Sequence, residues 1–417
     1  MNHYRFPEGK YNKALIGLVL AGILFFSRES IHAMNVVGFT VSQAITLGLL
    51  LMIGLVFLVA NRGCLRQIAT DPRALAAGIF TVIMLLPMVV KQDWRLMYFS
   101  VLLGLYVAVL FSYFSTVEEI SRSFVLVMTV LSAYSLLTHY GLRQLAENGL
   151  IRVPTFFNSV GHEFYSFGLS AESVTFVASR NFGLFREPGV YQFFLILALY
   201  LNNYQVRWEN NKCLWVINAV LAVTMLSTFA TGGVIEMGLL AVVMFFDKKW
   251  YKSKLGIGLC VGAILTVAAA AAFILIRKGP MYEELYYMFY KLVSPEESTV
   301  SRLGSIFMNL EMFLQNPLVG QPFPTVLHAL MDNTSSTMIL FAAMGILAGG
   351  LHVISWFALV WDKDRHPVVN LALAMVLFMG FNTQNLTWDI YLWLLPGMAL
   401  LEKGIPMAKR LSSGKKE

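Results

Sequence analysis

Charge is scarce in this sequence. Asp, Glu, Lys and Arg make up 13% of 417 residues, while 57% are hydrophobic and mean hydropathy is +0.66; charged residues in a soluble domain come closer to a quarter. This composition excludes a soluble cytosolic enzyme. Cysteine is nearly absent: Cys64, Cys213 and Cys260 are too few and too scattered for a disulfide framework or a zinc site, so no redox or metal role is expected. No glycine-rich phosphate loop follows a strand, so neither a nucleotide substrate nor a cofactor is expected. The net charge of +7 would suggest nucleic acid only if the basic residues shared one solvated face. They lie instead in small groups between apolar runs, and no nucleic-acid partner is expected.

What is abundant is apolar sequence. Arg5, Lys10 and Lys13 precede the stretch Ala14 to Phe26 as in a signal peptide, but no A-x-A site follows, so an uncleaved first span is expected. Apolar runs fall near residues 14–33, 38–60, 75–90, 96–114, 124–138, 190–206, 214–231, 233–246, 255–276, 338–361, 368–383 and 390–401. They predict an all-α, polytopic integral membrane protein of about twelve transmembrane helices in a single domain. The hairpin at Thr231, Gly232 and Gly233 is either a tight turn or a broken segment. Segments on one side carry 20 Lys and Arg; the short connections on the other carry only Arg28, Lys91 and Arg95. The positive-inside rule then predicts that both termini are cytoplasmic and that two long segments, 139–189 and 277–337, face outside.

Loops beyond about 15 residues are uncommon unless they fold or function, and short helices are expected in these. In the second, Ser294-Pro295-Glu296-Glu297 is a helix start. Leu303, Ile306, Phe307, Leu310, Phe313 and Leu314 then recur at helical spacing until Asn316-Pro317. Upstream, Tyr282, Leu285, Tyr286, Phe289 and Tyr290 mark a short amphipathic helix whose rings either stack on sugars or form an interfacial aromatic girdle. The first loop ends in Arg180-Asn181-Phe182-Gly183-Leu184-Phe185-Arg186-Glu187-Pro188-Gly189. Pro188 suits a first helical position, where free amides favour an anion. Arg180 and Arg186 there either grip a lipid pyrophosphate through bidentate contacts or snorkel to ordinary headgroups. Neither loop is basic overall, so an anion site has to be built from particular residues. Within the spans Glu236 is the one acidic or basic group assigned, fewer than an ion-coupled transporter would carry. Asp362-Lys363-Asp364 has the D-x-D shape of metal-dependent glycosyltransferases but falls in a short turn and reads as a solvated hairpin. His352 and His366 read as structural or solvated.

These features resemble the bacterial O-antigen and capsule repeat-unit polymerases and the related O-antigen ligases, which transfer undecaprenyl-pyrophosphate-linked glycans at the outer face of the inner membrane. The resemblance rests on the architecture, on the run at 180–189, and on Ser301-Arg302 followed by Asn316-Pro317-Leu318-Val319-Gly320. It implies that Arg180 or Arg186 is the first-loop arginine and Arg302 the second-loop arginine, both gripping the carrier pyrophosphate. His328 and Tyr286 are further candidate contacts to the glycan. Where ligases carry a His-Asn pair before the span after the second loop, this chain has Asp332-Asn333, with His328 four residues before Asp332, which points to polymerase over ligase. The arginine-to-glycine pattern of some polymerases, with ten residues between, is absent from both loops. The implied chemistry is metal-free: a sugar hydroxyl attacks an anomeric carbon and the carrier pyrophosphate leaves, so positioning and positive charge suffice. Glu187, Asp332 and Glu172 are candidate bases, with His162 and His328 behind them. Glu187 is alternatively a helix-start acid paired with a neighbouring arginine. The resemblance further implies a lipid-linked oligosaccharide substrate and a chain-length co-polymerase partner; a ligase, or a flippase of the same lipid-linked unit, is the alternative expectation.

Overall fold

The computed structural model describes residues 10–174, 180–278, 282–283, 285–286, 290, 297–329 and 333–412. Its principal helices are α1 (Lys10–Phe25), α2 (Phe39–Ala60), α3 (Pro72–Lys91), α4 (Leu96–Phe114), α5 (Val117–Leu137), α6 (Pro188–Tyr204) and α7 (Asn211–Ser227). They continue with α8 (Thr231–Asp247), α9 (Lys254–Arg277), α10 (Glu297–Gln315), α11 (Phe323–His328), α12 (Ser336–Val360), α13 (Pro367–Asn382) and α14 (Tyr391–Ser412). Each apolar run contains a helix, and α10 and α11 belong to the second long loop. Among the described residues, five stretches are long and apolar enough by themselves to cross a membrane: Thr40–Ala60, Pro72–Lys91, Leu96–Phe114, Val117–Glu147 and Ser336–Val360. Along α2, Leu47, Leu51, Leu55 and Val59 stand 44%, 65%, 63% and 63% exposed, one residue per turn on a single face. A continuous apolar stripe of this kind suits hydrocarbon and is a liability in water.

Local sequence sets the helix starts. Thr116 and Glu119 form a reciprocal capping box at α5, Asp71 caps α3 ahead of Pro72, and Pro188 opens α6 as its spacing predicts. Helix α6 is apolar all round, and every residue from Val190 to Asn202 is buried. It is therefore the centre of the bundle, in contact with α5, α7, α8 and α13. Its aromatic side chains interlock with theirs: Phe194 meets Phe124 of α5 with ring centroids 6.5 Å apart, and Phe193 meets Phe381 of α13 edge-on at 6.0 Å.

Polar contacts collect in two layers. At one end lie the connections after α1, α3, α5, α7 and α13 and both long loops, joined by Arg186 to Glu29, Asn181 to Ser227, and Ser336 to Gln384. At the other end Arg73 donates to the Ser112 carbonyl, Arg122 to the Arg207 carbonyl and Lys403 to the Trp361 carbonyl.

The structure corrects two expectations. The first run, 14–33, is not one helix: α1 stops at Phe25, and Ser27, Arg28, Glu29 and Ser30 form a turn that bridges to Phe185. Four consecutive polar residues cannot continue through an apolar bundle without partners, and leaving the helix brings them to the loop-bearing end. The first long loop is not made of short helices alone. After a helical extension through Glu147 it folds into an antiparallel sheet of β1 (Thr155–Phe157), β2 (Glu163–Ser166) and β3 (Ala171–Ser173), in the order β1-β2-β3. Aromatic residues favour these strands. Asn158 makes the turn between the first two, its Oδ1 accepting from the Val160 and His162 amides, while Gly161 takes φ +85°.

In the second loop α10 ends at Asn316-Pro317 as the pattern predicts, whereas Ser294, Pro295 and Glu296 of the start signal lie outside the described residues. The segment after α10 docks into a kink of α12. Gly345 departs from helical geometry at φ +75°, the Ile346 amide donates to the Pro317 carbonyl at 2.8 Å, and the Gln321 amide donates to the Ala342 carbonyl at 2.7 Å. A Cβ on Gly345 would collide with the Leu318 carbonyl and stand 2.7 Å from the Val319 nitrogen, both backbone atoms. Gly345→Ala should therefore destabilise the protein by about 1–3 kcal/mol, read as a lowered unfolding temperature in detergent, while Gly350→Ala, with open space around it, should not.

Candidate active site at the loop-bearing end

The N-terminus of α6 organises this end. Glu187 occupies the cap position, but its side chain makes no capping bond; it accepts from Arg186 Nη1 at 2.7 Å. Arg186 Nε donates to Glu29 Oε2, also at 2.7 Å, and the Arg186 amide donates to the Glu29 carbonyl. Side-chain exposure falls from 50% at Glu187 through 31% at Arg186 to 2% at Glu29, so the guanidinium links solvent to a buried carboxylate. Beyond Glu29 lies Asp389, just ahead of α14. Its Oδ1 accepts from the Tyr391 amide at 2.8 Å, and its Oδ2 has no hydrogen-bond partner among the described residues. Burial, and secondarily the Glu29 charge, pushes the Asp389 carboxyl up to about 8. Arg28 adjoins the cluster; burial lowers its proton affinity, opposed by Glu29 and reinforced by Arg186.

A second group surrounds the connection between α7 and α8, which spans residues 228–230; Thr231, Gly232 and Gly233, where the sequence places the hairpin, open α8. Arg180 Nε donates to the Thr228 carbonyl at 3.1 Å, and Asn181 Nδ2 donates to Ser135 and Ser227. Gln192, on the second turn of α6, accepts from the Gly233 amide at 2.7 Å and donates to Thr383. Glycine is required here because a Cβ on Gly233 would stand 2.6 Å from Met225 Sδ and 2.8 Å from Gln192 Cβ. One turn further along α8 is Glu236, fully buried, with neither oxygen hydrogen-bonded among the described residues. Arg302, from α10, exerts its field on it. Of the three loop arginines singled out by the sequence, Arg180 and Arg186 are bonded at this end of the bundle, Arg186 to the buried Glu29, and Arg302 acts on the buried Glu236 through its field.

The other sequence candidates are distributed differently. Glu172 is buried on β3, with Oε2 bonded to His139 Nδ1 at 2.7 Å and Oε1 accepting from Thr138; burial raises its proton affinity against these bonds. It fastens the sheet to the end of α5. His162 lies in the turn leading into β2, and His328 is an exposed residue ending α11. Tyr286 is 52% exposed and stacks between Tyr282 and Tyr290, with centroids 6.1 Å apart on each side. Asp332 lies outside the described residues. Asp362 and Asp364 form a turn in which Asp362 Oδ1 accepts from the Asp364 amide, at the opposite end from the arginines. His352 is fully buried against Trp393 and Phe381, and His366 caps α13.

Sequence reasoning did not find Glu29, Asp389 or Gln192 as site residues. The available signal for the first two was an acid set within or beside an apolar run, which membrane insertion tolerates only with a partner or a role. No family model, curated protein or solved structure matches the chain.

Removing Arg186 takes from buried Glu29 its short charge-assisted hydrogen bond. Arg186→Ala should cost about 3–5 kcal/mol of stability, and the Glu29→Gln/Arg186→Gln double variant should recover a substantial part of it, measured by a double-variant unfolding cycle. Asp389 gives a pH test. Because the folded state favours its protonated form, wild-type stability should fall as pH rises from about 4 towards about 8 and level off above. Asp389→Asn, which keeps the Tyr391 cap, should flatten that slope.

Proposed function

We propose that this chain is a glycosyltransferase that joins undecaprenyl-pyrophosphate-linked oligosaccharide repeat units into a surface polysaccharide, O-antigen or capsule, at the periplasmic face of the bacterial inner membrane. The observation that carries this reading is the convergence of Arg180, Arg186 and Arg302, from two separate long loops, on the end of the bundle where the buried helix α6 begins. A pyrophosphate diester needs cationic, hydrogen-bonding surroundings as it departs, and guanidinium groups beside a helix N-terminus supply them without a metal. Glu29 and Glu187 fix the Arg186 fork from two sides, a positioning role that a point charge on lysine would not fill. The Tyr282, Tyr286 and Tyr290 ladder offers faces for sugar rings on the same loop as Arg302. The excess of Lys and Arg at the opposite end supports cytoplasmic termini, and a chain-length co-polymerase belongs to the same proposal.

Purified protein supplied with lipid-linked repeat units in detergent should lengthen the glycan with no gradient applied. Arg302→Ala should slow elongation on the order of 100-fold, with Arg302→Lys also impaired. Transfer to lipid A core in place of elongation would replace the polymerase by a ligase. Trans-bilayer movement of the lipid-linked unit without any transfer would replace it by a flippase.

A further inference from the structure

A general base needs a lone pair that is not already committed. Most acids at the loop-bearing end fail this requirement. Glu29 is tied to Arg186, Glu187 to the same guanidinium, and Glu172 to His139 and Thr138. Asp389 keeps one oxygen free but spends the other on the start of α14. Glu236 keeps both. It is 0% exposed, and an unbonded carboxyl group in such a place opposes folding, a cost that packing alone does not explain.

Its surroundings are arranged to leave it uncommitted. The facing position on α13 is Gly380, where a Cβ would stand 3.1 Å from Glu236 Oε2 and 3.3 Å from Ile196 Cγ2. Gln192 is not a partner, since its amide is occupied by Gly233 and Thr383 one turn closer to the loops. Arg302 is the charged residue whose field reaches Glu236 among the described residues, and it does so without a hydrogen bond between them. Among the described residues, the arrangement therefore sets a carboxylate with no hydrogen-bond partner within the field of a guanidinium from a different part of the chain. Glycosyl transfer to a hydroxyl requires both: an acceptor for the hydroxyl proton, and positive charge for the departing pyrophosphate.

Resting on the glycosyl-transfer reading above, we infer that Glu236 is the catalytic proton acceptor, working opposite Arg302. The acceptor sugar's hydroxyl oxygen forms its bond to the anomeric carbon of the donor glycan, and the bond from that carbon to the carrier pyrophosphate breaks. The pyrophosphate leaves with the bonding electron pair towards Arg302, and the hydroxyl proton passes to the Glu236 carboxylate, from which solvent removes it before the next cycle.

The test compares wild type, Glu236→Gln and Glu236→Asp in the detergent elongation assay, with donor binding and thermal unfolding measured on the same preparations. Glu236→Gln should slow elongation at least about 100-fold and keep donor affinity within about twofold. It should unfold at the same or a higher temperature, because it replaces an acid whose oxygens find no partner among the described residues with an uncharged amide. Glu236→Asp should retain part of the activity. Normal elongation by Glu236→Gln overturns the assignment. So does a fall in its unfolding temperature together with lost donor binding, the behaviour of a structural acid. A wild-type protein that binds donor but never elongates overturns the glycosyl-transfer reading itself, whereas an active wild type with an active Glu236→Gln variant overturns only the role of Glu236.

Discussion

Helix α6 is enclosed on every side, and the rest of the molecule is arranged to make that enclosure possible. A helix apolar all round gains stability only when neighbours cover its whole circumference, and α5, α7, α8 and α13 do so. Close cover requires small residues where helices cross: Gly233 against Gln192 and Met225, and Gly380 against Phe193 and Ile196. The enclosure also leaves the first turn of α6 few places to find partners for its free amides. That turn lies at the end of the bundle where the long loops gather, and the charged residues of the first loop are anchored around it.

The acids near this turn form a graded series. Glu29 is buried and paired with Arg186 by a short charge-assisted bond. Asp389 is buried, with one oxygen capping α14 and the other without a hydrogen-bond partner among the described residues. Glu236 is buried, with neither oxygen hydrogen-bonded among the described residues. The first is explained by structure, since Glu29 ties the turn after α1 to the entry of α6. The second is explained in part. The third is not explained by structure at all, and a buried polar group without a structural account is where chemistry is expected.

The long loops are fastened to the bundle by backbone contacts as much as by side chains. The segment after α10 lies in a kink of α12, where Gly320 and Gly345 allow main chain to approach main chain. The sheet of the first loop is held by Glu172 with His139 and by His32 Nε2 with Ser166 Oγ at 3.0 Å. These attachments give the loop arginines defined positions. An arginine on an unanchored loop would lose much of its binding energy to ordering, and one held from two sides loses less.

Much of this was legible in the sequence, because membrane insertion writes itself into composition. Apolar runs located the helices, Pro188 and Asn316-Pro317 marked a helix start and a helix stop, and the spacing of Lys and Arg separated the connections into two ends, with the loop arginines on one of them. These signals are local: each depends on a residue and its near neighbours in the chain. The sheet in the first loop was masked because its strands are only three or four residues long, too short for a clear alternation. The partners were not legible for a different reason. Glu29 meets a residue 157 positions away, Glu236 and Gly380 come from helices far apart in the chain, and Asp389 is set behind Glu29 by the entry of α14. Sequence determined that charge had to leave the middle of this bundle; only the packing of helices around α6 decided which charges would meet, which would cancel, and which would be left free.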